Sequence, residues 1–302
     1  MKEDRPFLGI ALMLGFCAII PLGDSMAKIL GGTVPLVQLL VVRMVCQALI
    51  LLPIVYLARI PFRLDPRHMQ IVILRTVIFV GAMATMFTAL RFLPLADAVA
   101  IAFVMPFIML FLGALILKEE VGPRRIAACT VGFAGTLLVI QPSFVEVGLP
   151  ALLPLLVAVL FAFYMLVSRP IARDCDPIAL QAWSGLLAGP PLLLLFVLTW
   201  SQDGPVLGAI IPNTTEALLM AGIGIFGTGA HLLMTWSLRF APSATLAPIQ
   251  YLEIPAATFY GWLIFRDLPD GLAAIGIGVI IAAGLYILYR EQSLARPRPP
   301  EA

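Results

Sequence analysis

The chain has 302 residues, of which 61% are hydrophobic and 12% charged, with a mean hydropathy of +1.04. Soluble domains carry about 25% charged and about 45–50% apolar residues, so a soluble globular protein of this length could not hide so much apolar surface, and lipid is the implied solvent. The formal charge of +2 is too small to imply a nucleic-acid partner, so the basic residues matter by position.

A membrane helix needs about 20 mostly apolar residues. Such stretches run in chain order over 7–30, 35–58, 69–90, 95–117, 124–141, 149–168, 178–200, 214–238, 243–265 and 271–289. The breaks carry turn or helix-start chemistry: Gly31-Gly32 with Pro35, Pro61 and Pro66, Pro94, Gly122-Pro123, Pro142, Asp176-Pro177, Gly204-Pro205, Pro242 and Pro269-Asp270-Gly271. The predicted fold class is all-α, a polytopic integral membrane protein with ten transmembrane helices. The first stretch reads as a membrane helix and not as a cleaved leader, because residues 1–5 are mixed in charge and no Ala-x-Ala site closes it before Asp24. Residues 290–302, rich in Pro and Arg, are expected to form a disordered cytoplasmic tail.

Charge placement checks the span count. With an inside N-terminus, the inner segments hold Lys2, Arg5, Arg59, Arg63, Arg67, Lys118, Arg124, Arg125, Arg169, Arg173, Arg239, Arg290, Arg296 and Arg298, against Lys28, Arg91 and Arg266 outside. Arg43 and Arg75 fall within spans. This asymmetry follows the positive-inside rule and predicts cytoplasmic termini.

An internal repeat is also legible. Leu90-Arg91-Phe92-Leu93-Pro94 recurs as Leu238-Arg239-Phe240-Ala241-Pro242, and the same register aligns Ala96 with Ala244, Gly113 with Gly261 and Ile116 with Ile264. Two five-helix halves, 7–142 and 149–289, must be inverted because five is odd, an architecture common among carriers that bind solute near the midplane. Pro106 and, one position out of register, Pro255 fall mid-span in spans 4 and 9. Each removes a backbone donor and is predicted to kink a cavity wall.

A charge inside lipid costs at least about 2.5–3.5 kcal/mol, so the few intramembrane polar residues must be paired or line an aqueous path. Span 1 holds Asp24 and Lys28, spaced for a local salt bridge. Span 2 holds Gln38, Arg43 and Gln47, with Arg43 read as structural. Arg75 opens span 3, Asp97 lies in span 4, His231 in span 8, and Gln250, Tyr251 and Glu253 in span 9. Glu253 is the deepest carboxylate and is read as a substrate or proton site, the alternative being an ion pair with Arg43 or Arg75. Phe103, Tyr164 and Tyr251 are aromatic candidates for stacking on a solute, or else packing residues. Gly222, Gly224 and Gly227 match GxGxxG, but no strand precedes them, and helix packing through small residues is the better reading. Cys17, Cys46, Cys129 and Cys175 show no CxxC or Cys/His spacing, so no metal, disulfide or other cofactor is expected. No GxxxxGK phosphate loop is present, and with only His68 and His231 a membrane enzyme lacks its parts.

Several of these segments carry a family likeness. Gly23-Asp24-Ser25-Met26-Ala27-Lys28, Leu90 to Ala98, Pro106, Glu119-Glu120, Gly132-Phe133-Ala134-Gly135 and Ala247 to Glu253 together resemble the EamA-type branch of the drug/metabolite transporter superfamily. The likeness covers about residues 7–289. It implies a ten-helix bacterial inner-membrane carrier, monomer or homodimer, working by alternating access around a cavity lined by spans 1, 3, 4, 6, 8 and 9. Asp24, Arg75, Phe103, Tyr164, His231, Gln250, Tyr251 and Glu253 are the lining candidates on that basis. It implies a small metabolite as substrate, an amino acid or related compound first. The Asp24/Lys28 pair and the Gln250–Glu253 segment resemble a subgroup that includes riboflavin and S-adenosylmethionine importers.

Overall fold

A computed structural model describes residues 5–105, 107–108, 112, 123–241, 246 and 249–295, and all regular structure among them is helical. The helices are α1 (Pro6–Leu30), α2 (Leu36–Leu57), α3 (Pro66–Ala89), α4 (Leu95–Ala102), α5 (Pro123–Val147), α6 (Leu153–Asp174), α7 (Pro177–Leu198), α8 (Thr214–Phe240), α9 (Glu253–Tyr260) and α10 (Gly271–Ala295). Local chemistry sets their starts. Proline stands at the first position of α1, α3 and α7, where its missing N–H costs nothing. The Asp65 and Asp176 carboxylates accept the His68 and Ile178 amides as N-caps. Asn213 and Glu216 form a reciprocal capping box at α8, with both bonds at 2.9 Å.

Seven helices among the described residues are long and apolar enough to cross a bilayer: Phe7–Leu30, Leu36–Leu57, Pro66–Ala89, Thr130–Val147, Leu149–Ser168, Pro177–Leu198 and Thr214–Phe240. The other expected spans differ. α4 is described for only 8 residues before a turn at Phe103–Val104. α9 also has 8 residues, preceded by a turn at Tyr251–Leu252 and followed by a π turn over Gly261–Phe265. Pro255 does not bend a continuous helix. It stands in the first turn of α9, where a proline needs no amide partner, and the break precedes it. Pro106 lies outside the described residues. α10 runs to Ala295, past the tail boundary set at residue 290, because no proline occurs before Pro297.

The helices pack as α1 with α8, α3 with α6, α2 with α7, α4 with α9 and α5 with α10. Exchanging each helix for the one five places along leaves this set of pairs unchanged. At the α5–α10 crossing, Gly135 and Gly276 lie so close that a Cβ on either would meet the other's carbonyl. The connections gather at two ends. At one end, Lys28 donates to the Leu93 carbonyl and to Asp267, and Arg91 donates to the Pro205 and Val34 carbonyls. At the other end, the Arg5 amide meets the Phe240 carbonyl, Arg239 pairs with Asp176, and His68 lies between Asp65 and Asp174.

Candidate functional site

The middle of the bundle encloses a cavity of about 110 Å³. Each wall is one stripe of a helix. Phe16, Ile20, Gly23 and Asp24 come from α1, Phe79, Met83, Met86 and Phe87 from α3, Phe161 from α6, and Ile223, Gly227 and His231 from α8. These are the i, i+3, i+4, i+7 spacings of a single helical face. The broken segments contribute Val99 and Ala102 from α4, Phe103 from the turn after it, and Gln250 and Glu253 from either side of the turn before α9. α2 sends in one side chain, Arg43.

Among the sequence candidates, Asp24, Phe103, His231, Gln250 and Glu253 meet in this cavity. Arg75, Tyr164 and Tyr251 do not line it. Arg75 is 0% exposed and donates from Nε to Ser168 Oγ at 2.8 Å, from Nη1 to Ser184 Oγ at 2.8 Å and from Nη2 to the Tyr164 hydroxyl at 2.6 Å. It shares a stripe with Phe79 but sits one turn nearer the α3 N-terminus. There the Phe79 ring, stacked 5.3 Å from Tyr164, closes the cavity over it. Tyr251 packs behind Phe103, ring to ring at 5.3 Å.

The polar groups on the walls are sparse. Asp24 and Glu253 lie within electrostatic reach of each other, and Asp24 also feels Arg43. Among the described residues neither carboxylate forms an ion pair. The expected Asp24–Lys28 bridge is absent, since Lys28 turns instead to Asp267 at 3.3 Å and to the Phe265 ring face at 4.7 Å. Among the described residues the Gln250 amide has no partner on Nε2 or Oε1, and His231 Nδ1 and Arg43 Nη2 also lack one. The His231 ring stands edge-on to Phe79 at 4.6 Å and lies near Phe16 and Phe161. Such a site offers aromatic faces for a flat solute and a few unmet donors and acceptors to orient it.

Arg43 is the residue that the sequence reading placed in the framework and the structure places at the wall. Its signal lay across the bundle at Gly227, where a Cβ would collide with the guanidinium. The other two glycines of the GxGxxG match face Met26 and Cys46, so all three serve helix approach. Asp97 lies outside the cavity and accepts from Ser143 at 3.1 Å.

Comparison with known proteins adds the family. The profile described as the EamA-like transporter family matches twice in tandem, over residues 7–141 and 148–290. A riboflavin transporter of Rhizobium johnstonii is 30% identical over 209 residues, 68% of this chain and 65% of that protein. The chain thus spans just under two thirds of that relative. A riboflavin transporter of Brucella anthropi is 26% identical, covering 76% of this chain and 80% of the relative. An S-adenosylmethionine uptake transporter of Rickettsia prowazekii is 22% identical over 94% of this chain and 93% of the relative. A crystal structure, 19% identical, superimposes with a TM-score of 0.67 over 95% of this chain and 99% of that one, which shows a shared fold. On the tandem match over nearly its whole length, the chain belongs to the EamA-like transporter family, within the drug/metabolite transporter superfamily.

Proposed function

We propose that this protein is a secondary transporter of the bacterial inner membrane that imports a flat, cofactor-like solute, riboflavin first, by alternating access around the central cavity. One observation carries the reading: phenylalanine and methionine walls enclose a space into which Asp24, Arg43, His231, Gln250 and Glu253 converge, with hydrogen-bonding groups of Arg43, His231 and Gln250 unmet among the described residues. A flavin ring offers faces to the former and carbonyl and N–H edges to the latter. Relatives named for riboflavin support it. The amino-acid expectation yields for the same reason, since an aliphatic solute has no use for so many aromatic faces. S-adenosylmethionine is the second reading, favoured by Asp24 and Glu253, whose carboxylates suit a sulfonium cation.

The ten-span, inverted-repeat layout with two cytoplasmic termini belongs to this proposal. The tandem family match, the exchange-invariant packing and the sorting of connections to two ends support it. Within it, Asp24, Phe103, His231, Gln250 and Glu253 contact solute, Glu253 is the proton-coupling group, and Arg75, Tyr164 and Tyr251 hold the walls from behind. Proteoliposome uptake of tritiated riboflavin and of labelled S-adenosylmethionine tests it. Saturable, counterflow-competent riboflavin uptake is expected, faster with an inward proton gradient and gradient-insensitive in Glu253→Gln. Uptake of S-adenosylmethionine alone selects the second reading, non-saturating flux without counterflow points to a channel, and no flux of either solute sinks the proposal.

A further inference from the structure

We infer that Arg43 is the solute-orienting donor of this cavity, and that Gln47 and Gln181 are positioning residues that aim it. The inference rests on the cavity being the solute site. Arg43 is 2% exposed and reaches the cavity over the bare backbone of Gly227. Its Nη1 donates to Gln47 Oε1 at 2.8 Å and to Thr228 Oγ1 at 3.3 Å, while Nη2 has no partner among the described residues. A guanidinium is a rigid fork of five N–H donors, so fixing one prong fixes the other. Arg75, held in the framework, spends its donors on three hydroxyls, and although Arg91 at a connection also leaves its buried Nε unmet, the open donor of Arg43 belongs to a residue that lines the cavity. Arg43 lines the cavity beside Asp24, Gln250 and Glu253, and among the described residues none of their oxygens takes the free Nη2 donor, which is left for a bound solute or water.

The aim of that prong is set by Gln47, one turn along α2, and by Gln181 on the adjoining α7. Gln47 Nε2 donates to the Gln181 carbonyl at 2.6 Å and to Gln181 Oε1 at 3.2 Å. Gln181 Nε2 donates to Thr235 Oγ1 at 2.8 Å and to the His231 carbonyl at 3.2 Å. Each amide therefore has only one satisfiable orientation. Gln181 must present its oxygen to Gln47, and Gln47 must present its oxygen to Arg43, because a flip of either would set donor against donor. The chemistry the open prong reads is an acceptor oxygen, which a flavin supplies as a ring carbonyl and S-adenosylmethionine as a carboxylate.

Riboflavin and S-adenosylmethionine uptake by proteoliposomes bearing the full chain tests this. Arg43→Lys keeps the charge but loses the fork, and is expected to raise KM for the transported solute about tenfold or more. Gln47→Leu, isosteric and without a cavity atom, is expected to raise KM several-fold. The double variant is expected to be no worse than Arg43→Lys alone, because the relay acts only through Arg43. Additive losses, or a wild-type KM in Gln47→Leu, overturn the relay, and Gln47→Leu alone decides the matter if Arg43→Lys does not reach the membrane. Glu253→Gln and Phe103→Ala separate the two levels. If they shift KM while Arg43→Lys does not, the inference falls and the cavity stands, and if none shifts it, both fall. Phenylglyoxal labelling read by peptide mass spectrometry needs no solute: Arg43 is expected to label while Arg75 does not, and equal protection of both overturns the assignment.

Discussion

Arg75 and Arg43 carry the same guanidinium among different partners. Arg75 spends its donors on Ser168, Ser184 and Tyr164, three hydroxyls from two helices, α6 and α7. Arg75→Ala strips those hydroxyls of their donor and opens a void, with an expected cost of about 3 kcal/mol or more. Thermal unfolding in detergent should register the loss, while KM of the surviving carrier moves less than in Arg43→Lys. Gly227→Ala makes the opposite case: its methyl displaces the Arg43 guanidinium without altering any charge. A several-fold rise in KM is expected, with Gly229→Ala, which meets nothing within 4 Å, as the unchanged control. Asp24, Phe103, His231, Gln250 and Glu253 were lining candidates through the family resemblance, whereas polarity or an aromatic face in lipid by itself left pairing and packing open for them as well. The same resemblance selected Arg75 and Tyr164, which pair with each other instead. A buried polar cluster and a polar cavity wall both satisfy the cost of burial, and sequence spacing cannot separate them.

At the scale of elements, the proline and Asp176-Pro177 signals marked helix starts, and helix interruptions went unmarked. Asp176 caps α7 where that signal stood, while the Asp65 and Asn213 caps of α3 and α8 came from the structure. The α3 cap also carries a pH signature. The His68 backbone amide holds the Asp65 carboxyl below the usual carboxylate range. A group depressed on folding stabilises above its unfolded value, about pH 4, and the gain fades as pH falls through the lower folded value. Acidification below about pH 4 should therefore loosen the α3 start in the native chain. Asp65→Asn, which keeps the cap oxygen but cannot titrate, should show a flatter profile of helicity against pH by circular dichroism. The break before α9 escaped notice because Pro255 suggested a kink at its own position. The turn instead falls at Tyr251–Leu252 and sets Gln250 and Glu253 against the cavity, an arrangement that needs the opposing α1 and α4 to be in place.

For the whole molecule, the pairing of α1 with α8, α3 with α6 and α2, α4 and α5 with the helices five places on is the pattern expected of two interlocked halves. The proposed threading has a direct check. A reporter active only outside, fused within the 199–213 connection, should be active, and a fluorescent protein after Ala295 should fold and emit. Exchange of those two outcomes would reverse the orientation and contradict the basic-residue bias.

The sequence by itself determined that this chain is a bundle of membrane helices, where several of its helices start and which few polar side chains need an account. Those follow from local costs, namely an apolar length matched to lipid, a cap or proline at a helix start, and a charge kept out of hydrocarbon. Only the tertiary structure decided which polar residues share the cavity, that Arg43 rather than Arg75 points into it, and that Lys28 turns from Asp24 to Asp267. Those outcomes depend on partners distant in the chain, such as Thr228 for Arg43 and Ser168 for Arg75. Whether a buried donor is met or left open is settled by the neighbour that arrives, and the spacing along one helix does not carry that information.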